Sequence, residues 1–130
     1  MTAPQPSAYD YIGGAAVIRQ LVDRFYDFMD TLPEAATIRA MHASDLTVSR
    51  DRLYWFMTGW LGGPQMFVER RGHPRLRARH LPFAVDTAAK DAWMLCMRSA
   101  VAEVVTIPDA HEYLLEPLER LADHMRNQPG

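Results

Sequence analysis

Apolar residues recur at intervals of three and four along nearly the whole chain, and this spacing constrains the fold more than any other feature of the sequence. In the first long segment with this spacing, the apolar positions are Ile18, Leu21, Val22, Phe25, Tyr26 and Met29. Such spacing places side chains on one face of an amphipathic helix. No segment alternates apolar and polar residues as a half-buried strand would. The sequence therefore predicts an all-α protein.

Capping and helix-breaking residues divide the pattern into four main helices and one short one. The first long helix follows Gly13-Gly14 and ends at Leu32-Pro33, and a short helix covers 33–41. The second main helix is capped by Ser44 or Asp45 and ends at Gly62-Gly63-Pro64. The third begins at Asp86 or Thr87 and ends at Pro108, and the last is broken or kinked at Pro117. In the second main helix the residues predicted to share the inward face are Leu46, Leu53, Phe56, Met57 and Trp60.

The segment from Gly62 to Phe83 breaks this helical pattern. It is rich in proline, glycine and arginine, and we expect helical pieces of one turn at most. Irregular segments of such length inside compact domains are uncommon and usually functional. Ten consecutive residues of this segment contain five arginines, and two histidines lie in the segment as well: Arg70, Arg71, Arg75, Arg77 and Arg79, with His73 and His80. This segment is the first candidate for a functional site.

Length and composition limit the class of protein. The 130 residues fit one domain, 1–130, with a flexible tail expected over 1–8, and an apolar content of 48% is typical of a globular chain. A net charge of -2 gives no general attraction to nucleic acid or anionic lipid. No apolar run is long enough to span a membrane. The single cysteine, Cys96, cannot form an internal disulfide, and this favours a cytoplasmic location.

His80 has neighbours that fit more than one role. A neutral imidazole is the commonest protein ligand of haem iron, and guanidinium groups pair well with the two haem propionates. His80 is flanked by Arg79 and Leu81, with Phe83 close behind, so a ligand, an apolar wall and anion partners occur together. The same residues also fit a solvated basic loop or a phosphate-contacting patch. No Cys, Asp or Glu lies at zinc-ligand spacing beside the histidines.

Several segments together resemble one family. They are Gly13-Gly14 with Arg24-Phe25-Tyr26, then Trp60-Leu61-Gly62-Gly63-Pro64, then GHPRLRARHLPF over residues 72–83, then Asp91-Ala92-Trp93 with Cys96-Met97. Their order and spacing are similar to those of group II truncated haemoglobins, from about Tyr9 to Val104. The resemblance implies a two-over-two helical sandwich around haem b.

The resemblance also assigns roles to individual residues. His80 matches the proximal iron ligand, and Trp93, Tyr26 and His42 match groups that donate hydrogen bonds to a ligand on the distal side. Leu53 and Ser49 match positions where the distal helix faces the haem, and Arg79 and Arg52 match basic positions near the propionates. A further set of apolar and aromatic residues is expected either to contact the cofactor or to pack in the core, and the sequence does not separate the two: Phe56, Phe67, Phe83, Met97, Trp55 and Met66.

The function implied is reversible binding of O2, CO and NO. If Trp93, Tyr26 and His42 all donate hydrogen bonds, O2 leaves slowly, which favours O2, NO or peroxide chemistry or sensing over bulk transport. The alternatives are a haem enzyme, namely a peroxidase or an NO dioxygenase, and a helical module that binds a different ligand without haem. An unidentified reductase is a possible partner, and the chain is expected to be a monomer or a homodimer.

Overall fold

The computed structural model describes residues 7–129, and all regular structure within that range is helical. The elements are α1 (Ala8–Ile12), α2 (Ala15–Thr31), a 3-10 turn (Pro33–Ala35), α3 (Ala36–Ala40), α4 (Thr47–Trp60), α5 (Met66–Arg71), α6 (Leu76–His80), α7 (Thr87–Val104) and α8 (Pro108–His124). The all-α prediction is confirmed. Of the expected flexible tail, residues 1–6 lie outside the described residues, whereas Ser7 caps α1 and Ala8 begins it.

The two longest central helices follow the predicted pattern closely. All six apolar positions predicted for the inward face of α2 are buried. The N-terminus of α7 is capped by Asp86, whose carboxylate accepts a hydrogen bond from the Ala89 N–H at 2.8 Å. The cap predicted for α4 is different, because Leu46 takes the capping position. Asp45 instead accepts the N–H of Thr47, the first helical residue, at 2.9 Å.

Helix α1 was not predicted, and the glycine pair explains how it connects to α2. Gly13 ends α1 with φ 119° and Gly14 precedes α2 with φ 75°, so both have left-handed backbone that favours glycine. Tyr9 donates its N–H to the Leu61 carbonyl at 2.9 Å, which ties α1 to the end of α4. Five residues give too little periodicity for a helix to be predicted from sequence.

Three further expectations were wrong in detail. The last helix was expected to be broken or kinked at Pro117, and the break is absent, because Ala110, Leu114 and Leu118 bury the inward face of α8 on both sides of the proline. Trp60, expected on the inward face of α4, is 36% exposed, although Met57 and Leu61 beside it are buried. Within the segment 62–83, α5 is six residues long and exceeds one turn.

The core lies where the four long helices meet. Helix α2 packs on both α7 and α4, and α7 packs on α8, so one pair of helices lies on the other. Fully buried side chains such as Phe25, Met57, Met97 and Leu114 each contribute about 1.5–3 kcal/mol to folding by burial. No helix of the described part of the chain is both long enough and apolar enough to span a membrane.

Candidate functional site

A cavity of about 580 Å³ opens between the helix pairs, and its wall is mostly apolar. Helices α2, α4, α6, α7 and α8 all contribute to it, with Tyr26, Leu53, His80, Trp93 and Leu118 as examples from each. A volume of this size is within the range of small-molecule and cofactor sites, which are typically apolar with few polar groups. The cavity is therefore large enough for an organic cofactor.

His80 is the last residue of α6 and lies in the cavity wall, half-buried. Its Nδ1 lies 2.7 Å from the Leu76 carbonyl oxygen, four residues earlier in the same helix. A carbonyl oxygen only accepts hydrogen bonds, so Nδ1 carries the proton and donates it. The neutral ring therefore keeps an unprotonated Nε2, and a hydrogen bond to the other ring nitrogen is the usual support of a metal-ligating histidine.

Tyr26 and Trp93 bring two polar groups to the apolar wall. Both rings lie against Phe25, each with a centroid separation of 4.9 Å. Among the described residues, no side-chain hydrogen bond involves the Tyr26 hydroxyl or the Trp93 indole N–H, and both residues line the cavity. Burial raises the pKa of Tyr26, against a smaller opposing effect of the Arg50 guanidinium. The phenol is therefore neutral at physiological pH and keeps its proton to donate.

His42 lies beside Tyr26, with the two ring centroids 5.8 Å apart in an edge-to-face arrangement. Its Nδ1 lies 2.8 Å from the Ile38 carbonyl oxygen and must donate to it. In the neutral ring the other nitrogen, Nε2, then has no proton and can only accept. His42 can donate a hydrogen bond toward the cavity only when its ring is doubly protonated, which restricts the donor role expected from sequence.

An ion-pair cluster supports the outer side of Tyr26. The Arg50 guanidinium lies 5.8 Å from the centre of the Tyr26 ring and donates to the carboxylate of Asp27 at 2.8 Å. Burial opposes ionisation of Asp27, but hydrogen bonds from Arg50 and Arg24 keep the pKa of its carboxyl below the ordinary value. Arg24 also pairs with Glu103 on α7. The cluster thus links α2, α4 and α7 around the tyrosine.

Two arginines stand in the wall of the cavity. Arg79 lies 5.3 Å from the centre of the Phe67 ring and donates to the Pro74 carbonyl at 2.5 Å. Arg52 lines the cavity from α4. Within residues 7–129 neither guanidinium is paired with a carboxylate of the protein. Both are therefore available to an anionic group of a bound molecule.

The structure brings most of the predicted site residues to this one cavity. Those in its wall are Tyr26, His42, Ser49, Arg52, Leu53, Phe56, Phe67, Arg79, His80, Phe83 and Trp93. Three do not line it. Met97 is one turn beyond Trp93 and fully buried in the core, Trp55 lies against the Arg70 guanidinium at 4.8 Å, and Met66 stands half-buried at the start of α5.

The cavity wall also contains residues that were not predicted to belong to it. Leu118, Leu121, Ala122 and Met125 line the cavity from the last helix and the residue that follows it, and helical spacing alone does not distinguish an apolar side chain in a cavity wall from one in the core. Lys90 of α7 also lines it and pairs with Glu119 of α8 at 3.4 Å. Nothing in the sequence marked Lys90, because a lysine in the first turn of a helix is ordinarily solvated.

Comparison with known proteins gives consistent matches over most of the chain. Residues 7–127 match the bacterial-like globin family. The chain is 40% identical over 115 residues to group 2 truncated hemoglobin YjbI of Bacillus subtilis. The aligned region covers 88% of this chain and 85% of that protein.

Two solved structures are similar in both fold and sequence. One is the group II 2-on-2 hemoglobin of the plant pathogen Agrobacterium tumefaciens, with a TM-score of 0.93 and 46% identity over 98% of this chain and 99% of that one. The other is the cold-adapted truncated hemoglobin of the Antarctic marine bacterium Pseudoalteromonas haloplanktis TAC125, with a TM-score of 0.92 and 40% identity. That match covers 95% of this chain and 99% of the other. The predicted two-over-two sandwich is confirmed.

Proposed function

This chain belongs to the bacterial-like globin family, within the group II truncated haemoglobins, and we propose that it binds haem b with His80 as the iron ligand. Family membership supports haem-based ligand binding in general. The hydrogen bond from His80 Nδ1 to the Leu76 carbonyl supports the specific ligand, because it leaves Nε2 unprotonated on the cavity wall. This single observation carries the proposal.

The residues of the cavity fit the chemistry of the cofactor. A planar macrocycle needs an apolar slot, and the wall supplies Leu53, Phe56 and Phe67 among others. Its two carboxylates need cations, and Arg52 and Arg79 have no carboxylate partner within the described residues. When bound, haem supplies an iron with one open coordination position at which O2, CO or NO binds reversibly.

The protein's contribution is to hold a diatomic ligand by hydrogen bonds. The Trp93 indole N–H and the Tyr26 hydroxyl stand in an apolar wall without a protein partner among the described residues. Fixed donors in a water-poor site stabilise a ligand that carries partial negative charge more than a neutral one. O2 polarises more than CO in such a site, so the donors favour retention of O2.

Slow release of O2 suits a protein that acts on, or senses, the gas it holds. We propose that the chain serves O2, NO or peroxide chemistry or gas sensing, and not bulk transport. The convergence of donors from α2 and α7 on one cavity favours this class of function. Steady turnover of NO or peroxide with a reductant distinguishes an enzyme from a protein that only binds the gas.

The experiment that tests the proposal is titration of the apoprotein with haemin, in wild type and in His80→Gly. We expect wild type to take up one equivalent and to give a Soret band that responds to dithionite and then to CO. Removal of the imidazole alters this spectrum, and added free imidazole restores it, because the small molecule can fill the space that the side chain left.

The matched control is His124→Gly, since His124 is exposed and does not line the cavity. This variant is expected to keep the wild-type spectrum. Wild-type protein that takes up no haemin would contradict the cofactor itself. A spectrum that His80→Gly leaves unchanged, or that His124→Gly alters equally, would contradict His80 as the ligand.

A further inference from the structure

The five arginines of residues 70–79 differ from the other basic residues of the chain. Outside that segment there are nine basic side chains, and all except Arg52 form ion pairs with carboxylates. None of the five forms such a pair within residues 7–129. The arginine rim, as we call it, consists of Arg70, Arg71, Arg75, Arg77 and Arg79.

The arginine rim lies on the two short helices that form one wall of the cavity. Helix α5 carries Phe67 in the cavity wall and ends with Arg70 and Arg71, whereas α6 carries His80 and two arginines of the rim. All five rim residues are exposed. The positive charge is therefore concentrated beside the opening of the candidate haem site.

Only part of this charge has a structural use. Arg77 donates to the carbonyls of His124 and Arg126 at 2.8 and 2.9 Å, at the end of α8, where carbonyl oxygens favour a cation. Arg70 lies over the Trp55 ring at 4.8 Å. Arg71 makes no side-chain hydrogen bond or ion pair within the described part of the chain. Exposed guanidinium groups without carboxylates are the usual footprint of a surface that binds an anionic partner.

The rest of the molecule is acidic, so the charge distribution is strongly uneven. Residues 66–80 contain five arginines and one carboxylate, Glu69, while the remaining chain has nine basic and fifteen acidic residues. Next to the rim along the chain, Leu81 is 58% exposed and does not line the cavity. An exposed apolar side chain near arginines is typical of a protein–protein interface, in which arginine is enriched.

From this arrangement we infer that an acidic electron-donor protein docks on the arginine rim. The inference rests on the proposed function, because a haem that turns over O2 or NO must be returned to its ferrous state. In that step one electron leaves the reduced flavin or iron–sulfur centre of the donor and reduces the ferric iron. The rim steers the donor toward the edge of the cavity and selects an acidic surface over a basic one.

Binding can be measured separately from electron transfer by using a donor that is already oxidised. The probe is an acidic flavodoxin in its oxidised form, titrated by calorimetry into the haem-loaded protein at about 20 mM and about 200 mM salt. The test variant is Arg70→Glu/Arg71→Glu. The control is Arg98→Glu/Arg120→Glu, which changes the net charge equally but on α7 and α8, where both arginines have carboxylate partners.

We expect the test variant to weaken flavodoxin binding by about tenfold or more at low salt and to reduce the salt dependence, because charge reversal removes both attraction and steering. The control should change binding by about twofold at most. Equal effects of the two variants, or no binding by wild type, would overturn the inference. Haem uptake in the same samples shows separately whether the proposed function holds.

The alternative partner for the arginine rim is a second copy of this chain, because the surface of that copy outside its own rim is acidic. Sedimentation of the haem-loaded protein at low salt distinguishes the two. A monomer that binds flavodoxin supports the inference. A dimer that Arg70→Glu/Arg71→Glu dissociates would assign the rim to self-association and overturn it.

Discussion

The replacement Trp93→Phe tests the hydrogen-bond donor proposed for the cavity. Phenylalanine keeps an aromatic ring against Phe25, which lies 4.9 Å from the Trp93 ring, but it removes the indole N–H. A hydrogen bond to a group that carries charge contributes about 1.5–3 kcal/mol in a buried site. Since about 1.4 kcal/mol corresponds to a factor of ten, O2 should dissociate about 10- to 150-fold faster from the variant.

The assay is stopped-flow displacement of O2 by excess CO, followed in the Soret region. Release of CO, measured by displacement with NO, should change much less, because CO is less polarised and gains less from a donor. The comparison of the two gases therefore separates loss of a donor from a general opening of the cavity. A general opening would accelerate the release of both ligands by similar factors.

The control variant is Trp60→Phe, which makes the same chemical change at a tryptophan that is 36% exposed and does not line the cavity. It should leave both release rates within about twofold of wild type. The reasoning would be refuted if O2 left Trp93→Phe at the wild-type rate. It would also be refuted if Trp60→Phe accelerated release as much as Trp93→Phe does.

Two further predictions follow from individual side chains. The His42 ring donates its Nδ1 proton to the Ile38 carbonyl, and in the neutral ring Nε2 then has no proton to donate toward the cavity. His42→Phe should therefore change O2 release much less than Trp93→Phe does, and an equally large acceleration in stopped-flow displacement would contradict this. Burial raises the pKa of the Cys96 thiol from 9.0 to about 11, so the folded protein should resist iodoacetamide at about pH 8 and react only after unfolding in urea. The unfolded chain loses that thiol proton first as the pH rises, so the free energy of unfolding should fall between 9.0 and about 11, and less so in Cys96→Ala. Rapid alkylation of the native protein would contradict this prediction.

The sequence was a good guide wherever a local pattern decides the structure. The six inward positions of α2 repeat at helical spacing over about three turns, and all six are buried. Asp86 caps α7 as its position before the helix predicts. A cap depends on contacts within a few residues, so it can be identified without knowledge of the rest of the fold.

Predictions failed where packing between distant segments overrides a local rule. Pro117 is a helix breaker by its own chemistry, yet α8 continues through it because residues on both sides are held in the core. Trp60 fits the apolar pattern of α4 but is 36% exposed, although Met57 and Leu61 beside it are buried. Periodicity identifies a face of a helix and does not determine how much of each side chain on that face is covered by other segments.

The candidate site shows the same division. The sequence by itself determined the four long helices, the arginine-rich segment between two of them and the resemblance that singled out His80, Trp93 and Tyr26, because those depend on order and spacing along the chain. Only the tertiary structure decided that Met97 lies in the core while Lys90 lines the cavity. It also decided that the Ile38 carbonyl accepts a hydrogen bond from His42 Nδ1, and that the arginine rim pairs with no carboxylate of residues 7–129. Such properties arise from which side chains meet across helices, and spacing along a sequence does not contain that information.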